Sequence, residues 1–312
     1  MPGYYDERST DLNKQLRVAV PVEMRRKLHR AQPWKHFLIV IQQTVLLIGL
    51  PFAIYTLPHP YQWVPCSILL GFIVFSYSVL LHEAVHHAIF AKRRPKLNAV
   101  LGFIYGLVSG LSATQFTKWH LDHHAELGST SADPKRAYLS PKKNTRWLKM
   151  LYFTPFLFPI YFRAAAKGQS TYNADLRNRI KMERLVVTLL HLMVLGFFFF
   201  LSPLFAVKAY IIPVFFVFPV AFALNRLGQH YVIQPDNIAA WGTLVKPNFI
   251  WNFLFLFSSY HLEHHYFPSI PFYNLKQTQN ALSNFYKKQH IRSYGYIQLL
   301  HLWFIRNHKP HS

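Results

Sequence analysis

Cysteine, acidic residues and charge in general are scarce in this chain: one Cys, twelve Asp or Glu, and a charged fraction of 15% in 312 residues. Cys66 alone allows no internal disulfide and no thiolate metal site, and it gives no sign of an oxidising compartment. A chain so poor in charge, 52% hydrophobic and 17% aromatic, reads as a membrane protein rather than a soluble one. The net charge of +22 would otherwise point to a nucleic-acid partner. Nucleic-acid binders gather their basic residues on a soluble surface, whereas here they flank long apolar runs, so no such partner is expected. The first 35 residues hold eight Lys or Arg and no apolar core of signal-peptide length, and no cleaved leader is expected.

Read in order, residues 1–35 are polar and form a cytoplasmic N-terminal segment, with Arg25, Arg26, Lys27, Arg30 and Lys35 beside the first apolar run. His36 to Leu57 is uncharged and long enough to cross about 30 Å of hydrocarbon as a helix. After a turn containing Pro58 and Pro60, Val64 to Leu81 returns. A third span runs from Leu185 to Leu201, and a fourth from Ala209 to Leu224. The expected fold is therefore all-α and polytopic, with four transmembrane helices in two hairpins.

The stretch Leu97 to Phe116 is apolar but rich in Gly and Ser. Crossing and returning between residues 87 and 120 would need about 40 helical residues, more than are present, so this stretch is expected to dip in or lie on the surface. The aromatic run Tyr152 to Phe162 reads as an interfacial helix pair, and residues 249–260 are too short to cross. Of 34 Lys and Arg, 33 fall on one side of these spans, Lys208 being the exception. By the positive-inside rule that side, including both termini, is cytoplasmic. Residues 36–290 form the membrane domain and 291–312 a cytoplasmic C-terminal tail.

Against this background the 18 histidines stand out. Nine occupy three short boxes: His82, His86 and His87; His120, His123 and His124; His261, His264 and His265. His230 belongs with them. Residues three and four apart share a helix face, so each box can aim its imidazoles one way. Ten imidazoles are too many for a single four-coordinate site and indicate a pair of metal ions. All boxes lie on the cytoplasmic side. Glu83, Asp122 and Glu263, beside box histidines, suit partners that hold an imidazole's far N–H. An all-nitrogen site fits iron better than calcium or magnesium, which prefer oxygen. His29, His36, His59, His191, His290, His301, His308 and His311 keep the ordinary reading of hydrogen-bonded or surface residues.

The ordered set HxxxHH (His82, His86, His87), HxxHH (His120, His123, His124), Gln229-His230 and HxxHH (His261, His264, His265) resembles the membrane fatty-acid desaturase family. The tail Tyr266-Phe267-Pro268-Ser269-Ile270-Pro271-Phe272 to Leu275 is similar to the HHxFPxxPxxxL ending of its acyl-lipid members. The resemblance covers about residues 36 to 290. It implies a di-iron membrane oxidoreductase that uses oxygen and two electrons to introduce a double bond into a fatty-acyl chain. By the same resemblance His82, His86, His120, His123, His124, His230, His261, His264 and His265 match ligand positions, His87 is a further candidate in a box where the family needs only two, and Asn225 lies where some members hold a metal-bound water. No HPGG haem motif is present, since His59 is followed by Pro60-Tyr61-Gln62. A separate electron donor, a ferredoxin or a b-type cytochrome system, is then implied.

Other readings remain at this point. Box variants of the same superfamily hydroxylate lipids, or hydroxylate and form ketones on carotenoids. His82-Glu83-Ala84-Val85-His86 also satisfies HExxH, the helix signature of zinc proteases, although it explains two histidines and leaves eight. A histidine-lined metal transporter would carry its site near the bilayer midplane rather than at one end of the spans.

Overall fold

A computed structural model describes residues 3–309. Residues 1, 2 and 310–312, with His311 among them, lie outside the described part of the two terminal segments. The chain is all-α, and its only pairing of strands among the described residues is a two-residue parallel ladder, Leu244 with Ser293 and Val245 with Tyr294.

Among the described residues four helices are long and apolar enough to cross a membrane: α1 (Pro33–Thr56), α2 (Pro60–Val85), α6 (Ala174–Leu201) and α7 (Pro203–His230). Between the second and third lie α3 (Pro95–Ser109), α4 (Ala113–Ala125) and α5 (Leu157–Gly168), and α8 (His261–Tyr266) follows the fourth. Three of the four spans start on proline near their first turn, where the missing N–H costs nothing. Asn173 opens α6 instead, its side chain accepting the Leu176 N–H at 2.9 Å.

Burial ranks the spans. The apolar stretch of α2 is 72% buried and that of α6 only 6%, so α2 is the central post and α6 faces lipid. A Cβ at Gly71 of α2 would meet the Val217 side chain of α7 at 2.4 Å, so α2 and α7 approach at a distance that only glycine permits. Polar pairs join the spans inside the apolar layer: Ser76 donates to Gln43 at 3.0 Å, and Thr44 meets the Tyr77 hydroxyl at 2.9 Å.

Two features depart from the simple reading of four straight spans. Inside α7, Val207–Val217 winds as a π-helix before α-helical Phe218–His230, and Pro213 sits within it. A proline there removes a backbone donor, and the wider turn accommodates it. The third span also begins eleven residues earlier than its apolar run, because the basic stretch from Ala174 continues the same helix out of the lipid.

The stretch expected to dip does bend. α3 and α4 meet at 103°. Gly110 stands at φ 76, a left-handed conformation that ends α3. Glu183 of α6 fixes the corner: its carboxylate accepts the Ser112 hydroxyl at 2.7 Å and the Thr114 N–H at 2.9 Å. The start of α4, which carries the second histidine box, is thereby anchored to a membrane span.

Candidate metal centre

Each box arrives on an element with a reason to be where it is. His82 lies in the last turn of α2, and His86 caps its end. α4 carries His120, His123 and His124; α7 ends on His230; α8 carries His261, His264 and His265. These nine side chains converge into two groups. His82, His86, His120, His124 and His264 form one, and His123, His230, His261 and His265 the other, with ligand atoms within 4.8 Å of one another in each.

The division follows helix geometry. Residues four apart stand nearly one above the other, while the residue at i+3 lies on the opposite flank of the stripe. Thus His120 and His124 serve one group and His261 with His265 the other. The i+3 residues cross over, His123 joining the group of α8 and His264 that of α4. Neither helix can be removed without dismantling both groups.

Donor spacing tests the fit to a metal. In the first group Nε2 of His124 lies 3.0 Å from Nε2 of His120 and of His264. In the second, Nε2 of His230 lies 3.0 Å from those of His123 and His261. On an ion with bonds of about 2.1 Å, a tetrahedral edge is about 3.4 Å and a right-angled edge about 3.0 Å. The spacings in both groups are close enough for one ion to be shared among each set of nitrogens. Nε2 of His82 is buried with no protein hydrogen-bond partner, as a metal-directed nitrogen is. Burial holds His120, His123, His124, His261, His264 and His265 well below the ordinary histidine range, so their lone pairs are free at neutral pH.

His87 is not brought in. α2 ends at Val85, and His87 adopts a left-handed φ of 54°, which turns its side chain off the helix face that carries His82 and His86. The expected acidic partners also need correction. Asp122 pairs with Lys118 on the outer face of α4, away from every ligand. Glu263 accepts from the Tyr286 hydroxyl at 2.6 Å and the Gln279 amide at 2.8 Å, tying the segment after α8 to the third box instead of holding an imidazole. Glu83 has one oxygen 3.7 Å from Nδ1 of His82 and accepts the Phe272 N–H at 3.0 Å. Asn225 accepts from Gln229 and donates to Ser258, both at 2.6 Å, and touches no ligand.

The partners that do hold ligands were not visible in the box pattern. Both Asp133 oxygens lie 2.9 Å from Nδ1 of His123. The Trp241 carbonyl accepts from Nδ1 of His230 at 3.0 Å. Each contact puts the proton on Nδ1 and leaves Nε2 for the metal. Lys135 Nζ lies 3.3 Å from Nδ1 of His120. Burial and the nearby Arg226 guanidinium push its ammonium down from its ordinary range. A signal for Asp133 existed in the sequence, an acid ten residues after His123, but nothing local distinguished it from Asp122.

Against both groups lies a cavity of about 100 Å³, walled by Phe75, Phe116, Trp119, Phe222 and Phe272 and bounded by His82, His120, His261 and His264. Leu111, Tyr161 and Phe222 also line a second apolar cavity, of about 310 Å³, between α5, α6 and α7. Two histidine groups that could hold metal, facing a mostly apolar cavity, suit chemistry on an unactivated hydrocarbon chain.

Comparison with known proteins gives a consistent picture. A family model described as fatty acid desaturase matches residues 58–296. The chain is 27% identical over 221 residues to a sphingolipid delta(4)-desaturase, DES1, of Drosophila melanogaster, and 25% identical over 231 residues to the sphingolipid delta(4)-desaturase/C4-monooxygenase DES2 of Homo sapiens. Both alignments take in 69% of this chain and 64% of the relative, so the chain spans slightly less than two thirds of their length. A DES1-like protein of Oryza sativa subsp. japonica is 26% identical over 250 residues, 75% of this chain and 68% of the relative.

Proposed function

The chain belongs to the fatty acid desaturase family, and from that premise we propose that it is an integral membrane di-iron oxidoreductase that introduces a double bond into a long fatty-acyl chain. The observation that carries this reading is the two interleaved histidine groups facing an aromatic-walled cavity. In this reading His82, His86, His120, His124 and His264 hold one iron and His123, His230, His261 and His265 the other, with His87 left out.

When bound, the irons supply the activation of dioxygen. The balance of the reaction is simple: a –CH2–CH2– unit loses two hydrogens, and these, with two electrons and two protons from a donor, reduce O2 to two waters. A separate protein, a ferredoxin or a b-type cytochrome system, supplies the electrons. Asp133 and the Trp241 carbonyl keep His123 and His230 in the tautomer whose Nε2 is free. Phe75, Phe116, Trp119, Phe222 and Phe272 exclude water from the reacting carbons and fix the chain against the site.

The unit that does this is residues 36–290, flanked by cytoplasmic segments 1–35 and 291–312. The basic excess on one side of the spans supports a cytoplasmic metal centre and cytoplasmic termini. Hydroxylation of the same chain is the second reading, because the human relative's name joins desaturase to monooxygenase. Zinc proteolysis loses its footing: His82 and His86 sit in a five-histidine group, and Glu83 is engaged with the Phe272 backbone.

Expression in a host of known lipid composition, followed by mass spectrometry of acyl chains and of added carotenoid, tests the proposal. A new oxygen-dependent cis-alkene in a long acyl chain is expected. Unchanged acyl lipids beside a hydroxylated or ketone-bearing carotenoid would replace it.

A further inference from the structure

Two cationic side chains share the cavity with the metal ligands, Lys135 and Arg226. Neither makes an ion pair among the described residues. Arg226 makes no hydrogen bond to any described residue, and Lys135 Nζ has only Nδ1 of His120, at 3.3 Å. The acids nearby are already committed. Asp133 holds His123 with both oxygens and takes the Lys135 N–H at 2.9 Å; Glu83 takes the Phe272 N–H; Glu263 takes Tyr286 and Gln279. The one carboxylate that acts on both is Asp133, already bound to His123, so the two side chains keep unused donors where they line the cavity. A pair of metal cations beside them would only add to that positive field.

The cavity lining also offers the hydrogen-bonding groups Ser78, Asn225, Gln229 and Ser258, and it shares the apolar residues Leu111, Tyr161 and Phe222 with the second cavity. We propose that Arg226 and Lys135 form a headgroup subsite for an anionic amphiphile, a long-chain carboxylate, and that this subsite directs reaction to the half of the chain nearer the polar end. The position follows from geometry: Lys135 lies against the outer edge of the His120 ring, whose other edge faces the metal group, so one imidazole width separates the headgroup cation from the centre. A substrate held at that point presents the carbons close to its polar end, and its remaining chain runs toward the second cavity.

This inference rests on the acyl-desaturase reading for its chemistry but not for its binding. The test uses the full chain in lipid nanodiscs, with radiolabelled palmitate and palmitamide as probes of equal chain length. Palmitate is expected to bind more tightly. Arg226→Gln is expected to weaken palmitate by about ten- to a hundred-fold, the scale of a hydrogen bond to a charged group, to leave palmitamide unchanged, and Arg226→Lys to restore part of the loss. Equal binding of the two probes, or parallel loss of both in Arg226→Gln, would overturn the subsite. In the metal-loaded, reduced enzyme the product double bond is expected nearer the polar end than the chain's midpoint; a mid-chain or distal bond would overturn the positional claim. Wild-type protein that binds palmitate as described but desaturates no acyl chain would refute the proposed function and leave the subsite standing.

Discussion

Nε2 of His264 lies 3.0 Å from Nε2 of His124, although 140 residues separate them in the chain. His264 has crossed from its own box to the group built on α4, as His123 has crossed the other way. Each of the two helices therefore supplies histidines to both groups. His264→Ala is expected to lower turnover by more than about 100-fold and to reduce the metal content of the whole centre. Metal analysis of the purified variant checks this, and full occupancy with full activity would contradict the interleaving.

Asp133 and Asp122 make a matched pair of acids near the same box. Asp133→Asn weakens the acceptor for Nδ1 of His123 and is expected to cost about 10- to 100-fold in metal affinity or activity. Asp122→Asn touches only the exposed pair with Lys118 and is expected to leave both unchanged. Metal titration of the two variants side by side distinguishes the roles.

How much of this was legible in the sequence depends on the distance over which each feature is encoded. The boxes are local, and helix periodicity is enough to gather His120 with His124 or His261 with His265. The crossing of His123 and His264 was not legible, because an i+3 residue can serve either flank until the partner helix is in place. His87 looked like a ligand because it stands beside His86 in the first box, and the left-handed turn after Val85 cannot be read from that spacing. A break in the stretch Leu97 to Phe116 was readable from chain length, but the anchor of the bend, Glu183, lies on a span 69 residues from Thr114. The π-helical stretch of α7 left no trace in an apolar pattern that fits either helix type.

The stray histidine His191 has both ring nitrogens occupied, by the Tyr210 hydroxyl at 2.7 Å and the Leu107 carbonyl at 2.9 Å. It braces the end of α3 inside the apolar layer and reaches no metal group. His191→Ala is expected to lower stability by about 1–3 kcal/mol through the orphaned partners while leaving metal stoichiometry intact. Loss of metal equal to that of His264→Ala would break the separation of ligands from structural histidines.

Orientation is expected to follow from charge. Reporter fusions near Gln62 and near Phe205, in the two short turns between spans, are expected to be non-cytoplasmic, and a fusion near Lys142 cytoplasmic. The reverse pattern would place the metal centre on the opposite face and remove its access to a cytoplasmic electron donor.

The claim on which everything else depends is that two ions occupy two all-histidine groups. Metal analysis of protein purified after iron-replete expression tests it most directly. Close to two irons per chain are expected, falling sharply in His124→Ala. One zinc per chain with no iron would contradict the account.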